Sequence, residues 1–408
     1  MKTLSSRFWI SIALFNLFIV AALGVLMRYK IGFELLYFNQ KYLQEGHSHF
    51  AFLGWITQTL LFLITLFLKP HIEAKRQNFY SVLLLVHLFM AYAILITLTS
   101  QGYGILYFLF SMLALITFVV FSIACFKDFR RIGKANPAIP WLKASMLFFF
   151  TSTAGIFALA YMLMNKHIPK NGDLISEYWY LHFQYNGWFF FAAMGLFIHF
   201  VRQKLPDLKI PDSIFRLFAF SGLASFGLSV LWLKLPLWIY IIVVLGALLQ
   251  MIAWIRLLLS LKKAAFLKTN EIPVLGKILF VLVALSLTIK LGLQLGSTLP
   301  AISQMAFGFR PIVIAYLHLV LLAIFSVFLL CFFYTNQLMQ VVGWSFTGLL
   351  VFVAGVFINE IVLAIQGIAS LSYHLVPRVN YMLFGASLIL FFGVLVLLIS
   401  HLFSTHNK

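Results

Sequence analysis

Apolar runs of about twenty residues recur along this chain, separated by short stretches that carry charge or turn-forming residues. An α-helix rises ~1.5 Å per residue, so about 20 residues cross the ~30 Å hydrocarbon core of a bilayer. Hydrocarbon offers no partner for backbone N–H and C=O groups, and a helix satisfies its own. The pattern therefore predicts spans near 8–27, 48–68, 78–99, 104–125, 142–164, 181–201, 214–233, 236–258, 275–297, 310–333, 340–366 and 380–402. The expected fold is an all-α integral membrane bundle of about 12 transmembrane helices, a single domain over residues 1–408. Charges collect in the linkers, as in residues 127–134 and 202–209. No stretch reads as a soluble domain, a low-complexity tail or a short repeat. The first apolar run lacks a clear small-residue cleavage site and reads as a retained helix rather than a signal peptide.

Composition agrees with lipid as the main solvent. Hydrophobic residues make up 63% of the chain and charged residues 10%, and the mean hydropathy is +1.03. The net charge of +19 does not imply nucleic acid, because the basic residues sit between apolar runs. With the N-terminus inside, 20 of the 29 Lys and Arg residues fall in cytoplasmic segments and 8 in outer ones, with Lys290 inside a span. By the positive-inside rule both termini are expected in the cytoplasm, in a multi-pass protein of a bacterial inner membrane. Cys125 and Cys331 fall at the cytoplasmic ends of spans and imply neither a disulfide nor a thiolate metal framework.

Histidines at membrane depth are the candidate chemistry, since a titratable ring is costly in hydrocarbon unless it has a partner. His49 lies about 20 residues from Lys69, or ~30 Å of helix; His182 lies as far from Arg202, and His318 is about 17 residues, ~25 Å, from Thr335. Three separate spans thus place imidazoles within about 5 Å of one level, near the outer face. Imidazoles on facing helices can hold haem iron; the bland alternative is a ring bonded to a neighbouring helix. His47 and His49 point about 200° apart on a regular helix, so one of them faces the bundle. His49 is preferred as the ligand because it lies deeper, with Gly54 beyond it allowing close approach of a flat macrocycle. His87 sits deeper still, as a second metal ligand or a packing histidine. Glu360 and Lys290, the latter with Gln294 one turn on, read either as a proton or propionate site or as a structural pair. Arg310, His374 and Arg378, at outer span ends, could pair with haem propionates or anchor the chain at the interface. Trp179, Tyr180 and Trp188 flank His182 and read as site lining or as an interfacial belt.

Together these features resemble the catalytic subunit of the haem–copper oxidase superfamily. That family has twelve spans with both ends cytoplasmic, and a low-spin haem ligand near the outer side of its second span, which His49 or His47 matches. Its tenth span carries His-x-His; here Ala315-Tyr316-Leu317-His318 puts His318 at the second, low-spin position and Tyr316 at the first. Its sixth span carries a copper-ligating histidine with a tyrosine further along in many members, similar to His182 and Tyr185. The adjacent copper-ligand histidines of its seventh span have no counterpart in residues 215–233. The chain is also similar in style to nitric-oxide-response membrane haem proteins of the NnrS type.

The resemblance implies a bis-histidine haem, b-type, between spans two and ten, suited to electron transfer. A second centre near His182 and His87 would hold copper, iron or a second haem and perform oxygen or nitric oxide chemistry. Tyr185, Tyr316 and Glu360 are the candidate catalytic groups, and a quinol or an electron-donor subunit the expected partner beside the lipid. Two alternatives stand: a non-catalytic protein for nitric oxide tolerance, haem handling or oxidase assembly, and a secondary transporter.

Overall fold

The computed structural model describes residues 5–33, 35–133, 136–165 and 168–404; Lys2, Lys134, Lys166 and Lys408, used in the charge argument, lie outside them. Among the described residues there are helices and turns but no strand. Among the described residues eleven helices are long and apolar enough to cross a membrane, one fewer than the sequence pattern predicts. The expected span near 181–201 is helical, but His182, Gln184 and Asn186 interrupt its apolar run and lower its hydropathy. The chain divides into two compact units, residues 1–132 with 329–408, and residues 133–328.

The first unit contains α1 (Ser6–Gly32), α2 (Gln40–Phe50), α3 (Gln58–Leu68), α4 (Ala74–Gln101) and α5 (Ile105–Ile132). From the end of the chain come most of α14 (Val327–Thr335), α15 (Trp344–Leu371) and α16 (Val379–Phe403). Helices α15 and α16 form a close hairpin that packs on α1. Glycines permit this approach: a Cβ on Gly393 would sit 2.5 Å from the backbone nitrogen of Phe352, and one on Gly348 would sit 2.8 Å from that of Leu397. Arg7 donates to the carbonyls of Leu402 (2.9 Å) and Ser404 (2.7 Å), satisfying acceptors that the last turn of α16 leaves open. Elsewhere a buried carboxylate, Asp128 of α5, accepts from Arg76 Nε at 2.8 Å and from the Tyr80 hydroxyl at 2.7 Å, locking α4 to α5.

Between α2 and α3 the chain forms a π-helical segment, Ala51–Thr57. A π turn breaks the regular i→i−4 ladder and exposes carbonyls to other donors. Asn16, fully buried on α1, supplies one: its Nδ2 donates to the Gly54 carbonyl at 2.5 Å, while its Oδ1 accepts from the Tyr92 hydroxyl at 2.6 Å. One amide thus ties three helices around the irregular turn.

The second unit holds α6 (Ala138–Met164), α7 (Gly172–His182), α8 (Phe190–Lys204), α9 (Asp212–Ala224), α10 (Leu237–Lys263), α11 (Val274–Gly296), α12 (Pro300–Gly308) and α13 (Arg310–His318). Two further π segments lie here, Phe183–Phe189 between α7 and α8 and Leu319–Ser326 after α13. The core is aromatic: Phe148 of α6 stacks on Phe183 and packs against Phe191, and Trp141 meets Phe191, Phe215 and Phe218. Gly187 gives Phe148 its place, since a Cβ there would fall 2.5 Å from the Phe148 Cβ. Leu228, Leu231, Val243 and Ala247 close a second cluster between α10 and the 3₁₀ turn Ser225–Val230.

Candidate histidine sites

All three histidines assigned to one level stand in the same structural setting. His49 lies two residues before the first π segment, His182 is the residue before the second, and His318 is the residue before the third. The coincidence was invisible in the sequence, because a π turn differs from an α turn by one residue of register rather than by composition. Single-turn π segments concentrate at functional sites, where they re-aim side chains.

His49 and His318 share an anchor. Each bonds through Nδ1 to the carbonyl four residues back, His49 to Glu45 and His318 to Ile314, both at 2.9 Å. A carbonyl only accepts, so Nδ1 carries the proton and Nε2 keeps its lone pair. Around His49 of the first unit, Nε2 accepts from the Tyr107 hydroxyl at 3.1 Å, the Tyr103 and Tyr107 rings meet the imidazole edge-on, and Tyr103 donates to the Glu45 carboxylate. Glu45, Tyr103 and Tyr107 were not singled out from the sequence. The i,i+4 spacing of Glu45 and His49 was the available signal.

His47, His87 and His182 bond groups on neighbouring helices. His47 turns toward α1 and donates from Nδ1 to the Val20 carbonyl at 3.1 Å, with Gly24 against the ring. His87, buried on α4, donates to Gln58 Oε1 at 2.7 Å, and Gln58 Nε2 donates on to the Leu84 carbonyl at 3.0 Å. His182 is buried in the second unit with both nitrogens engaged: Nε2–H donates to the Gly222 carbonyl at 3.0 Å, and Nδ1 accepts from Asn186 Nδ2 at 3.1 Å. Phe183 and Phe226 close over its ring.

Of the candidate catalytic groups, the second unit brings Tyr185 and Tyr316 together, with ring centroids 6.2 Å apart and a hydrogen bond between the hydroxyls. Glu360 of the first unit is half-buried, and its Oε1 accepts from Asn359 at 3.3 Å. The residues assigned to propionates are exposed: Arg310 starts α13, while His374 and Arg378 lie in the turn before α16, Arg378 in a left-handed conformation. Among the described residues no three His, Cys, Asp or Glu side chains gather closely enough to hold a metal ion by themselves. Cys125 and Cys331 form no disulfide and are buried.

No family model matches this sequence, and no curated protein aligns with it significantly.

Proposed function

We propose that this protein is a multi-pass membrane haem protein in which His49, in the first unit, and His318, in the second, each offer Nε2 as a haem ligand. The observation that carries the reading is the shared anchor of these two imidazoles. An iron-ligating histidine characteristically donates its second N–H to a carbonyl or carboxylate, which fixes the tautomer and raises the basicity of the ligating nitrogen. Both residues have that bond, both stand at the threshold of a π segment, and neither points its ring N–H at the position a metal would take. At His49 the Tyr107 hydroxyl now bonds Nε2, and it is the group that haem would displace.

The donor set fits haem better than copper. A copper centre needs several imidazoles at one point, and His182 and His87, the expected metal ligands, use ring nitrogens to bond Gly222, Asn186 and Gln58. Haem brings four ligands of its own and asks the protein for one or two; bound through imidazole it supplies one-electron redox chemistry. The reading joins the sequence likeness to haem–copper oxidases at the haem and departs from it at copper. The bias of Lys and Arg supports a reading with both ends on the cytoplasmic side of a bacterial inner membrane.

A pyridine haemochrome assay on protein produced with ample haem tests the proposal. A b-type signal is expected, with His318→Ala losing most of the low-spin Soret band; a colourless preparation refutes the reading and favours transport. Steady-state oxygen or nitric oxide consumption then separates an enzyme from a haem carrier or tolerance protein.

A further inference from the structure

A second group of polar side chains in residues 133–328 has no part in the haem reading. Lys290 of α11 is 5% exposed. No hydrogen bond or ion pair reaches its ammonium among the described residues, and the titratable group that feels its charge is His182, a neutral imidazole that adds no negative charge. The acidic residues of this unit are Asp173, Glu177, Asp207, Asp212 and Glu271. Asp173 and Asp212 lie in the opening turns of α7 and α9, Glu177 lies midway along α7, and Asp207 and Glu271 lie in loops; none forms an ion pair with Lys290 among the described residues. A buried ammonium without a counter-charge is expensive, and the chain supplies none here.

Three amide oxygens in the same unit are in the opposite position. Gln294 Oε1, one turn from Lys290 on α11, is buried without a hydrogen bond, as are Asn186 Oδ1 and Gln250 Oε1. The last two end a continuous polar chain: Asn186 donates to His182, His182 to the Gly222 carbonyl, Ser225 Oγ to the same carbonyl at 3.4 Å, and Gln250 Nε2 to Ser225 Oγ at 2.8 Å. Buried amides are normally satisfied by protein or by ordered water. The unmet needs are therefore one negative charge and several hydrogen-bond donors.

From these we infer that Lys290 and Gln294 form an internal site for a small hydrated monovalent anion, such as a halide. The anion balances the Lys290 ammonium. The Gln294 amide, turned about its last torsion, adds an N–H donor. Water carried in with the ion donates its remaining hydrogens to the Asn186 and Gln250 oxygens.

The test uses the full-length protein purified in detergent. Its thermal unfolding midpoint is followed as sodium gluconate is exchanged for sodium chloride at constant ionic strength. The wild-type midpoint should rise saturably with chloride, and bromide should act in the same way. Lys290→Met should unfold at or above the wild-type temperature in gluconate, since it removes an uncompensated charge, and should show no chloride response. Gln294→Leu keeps the charge and should shift half-saturation to several-fold higher chloride, which provides a readout if Lys290→Met does not fold. Equal wild-type midpoints in the two salts, or an undiminished chloride response in Lys290→Met or Gln294→Leu, would overturn the proposal. Because no haem signal is read, failure here leaves the histidine assignment standing.

Discussion

At the scale of single residues, the two histidines two positions apart on α2 separate cleanly. His47 spends its Nδ1 on α1, whereas His49 is anchored within its own helix and offers Nε2 to the tyrosine pair. His49→Ala should remove haem absorbance, while His47→Ala should retain it and lose only a helix–helix bond, as an absorption spectrum of each would show. Buried polar pairs set a second expectation. Asp128→Asn leaves Arg76 without its carboxylate; breaking such a pair costs about 3–5 kcal/mol when both partners are buried, and the half-exposed Arg76 puts this case at the low end, read as a fall in unfolding midpoint. Much at this scale was legible. Tyr185 and Tyr316 were each singled out before the structure joined them, whereas the space expected at Gly54 for a flat macrocycle is filled by the Phe50 ring, which a Cβ there would strike. Asn186 and Gln58 were not singled out, because amides leave no charge or periodicity signal. Only an i,i+4 spacing from His182 pointed to Asn186.

At the scale of elements, the apolar runs foretold nearly every helix but none of the π segments. The helix through Ala51–Thr57 is buried on nearly all sides, with 83% of its most apolar window inside the protein. It therefore has no polar stripe whose drift would betray a change of period. The span near 181–201 fell short of the others in apolarity for a local reason, the amides beside His182. What holds a π turn is its outside partner. Asn16→Leu should orphan both the Gly54 carbonyl and the Tyr92 hydroxyl, at about 1–3 kcal/mol for each unsatisfied group. Hydrogen exchange should accelerate at the amides of 51–57 before any global unfolding; unchanged protection there would show that the turn does not depend on Asn16. The hairpin of α15 and α16 is limited by backbone approach instead. Gly393→Leu should force these helices apart and lower the unfolding midpoint, by about 1–3 kcal/mol or more for overpacking.

At the scale of the whole molecule, hydropathy and the placement of Lys and Arg determine the expected course of the chain through a membrane, and both are properties of composition that survive without any knowledge of packing. The orientation has a direct check. Because both native cysteines are buried, a single cysteine introduced at Gln203 should react with an impermeant maleimide only after cells are opened, and one at Asn171 should react in intact cells. The reverse pattern would invert the topology. The division into two units was not legible, since it depends on which distant helices meet. That division bears on how the chain is made. The unit that includes α1 to α5 is completed only by α15 and α16, and Arg7 meets the carbonyls at the end of α16. At ~5–20 residues per second, a ribosome takes roughly 10–40 s to add the intervening stretch 133–328. For that interval the earliest helices stand without their partner, the α16-facing side of α1 uncovered, so a nascent protein halted in mid-synthesis would present that apolar seam to its surroundings.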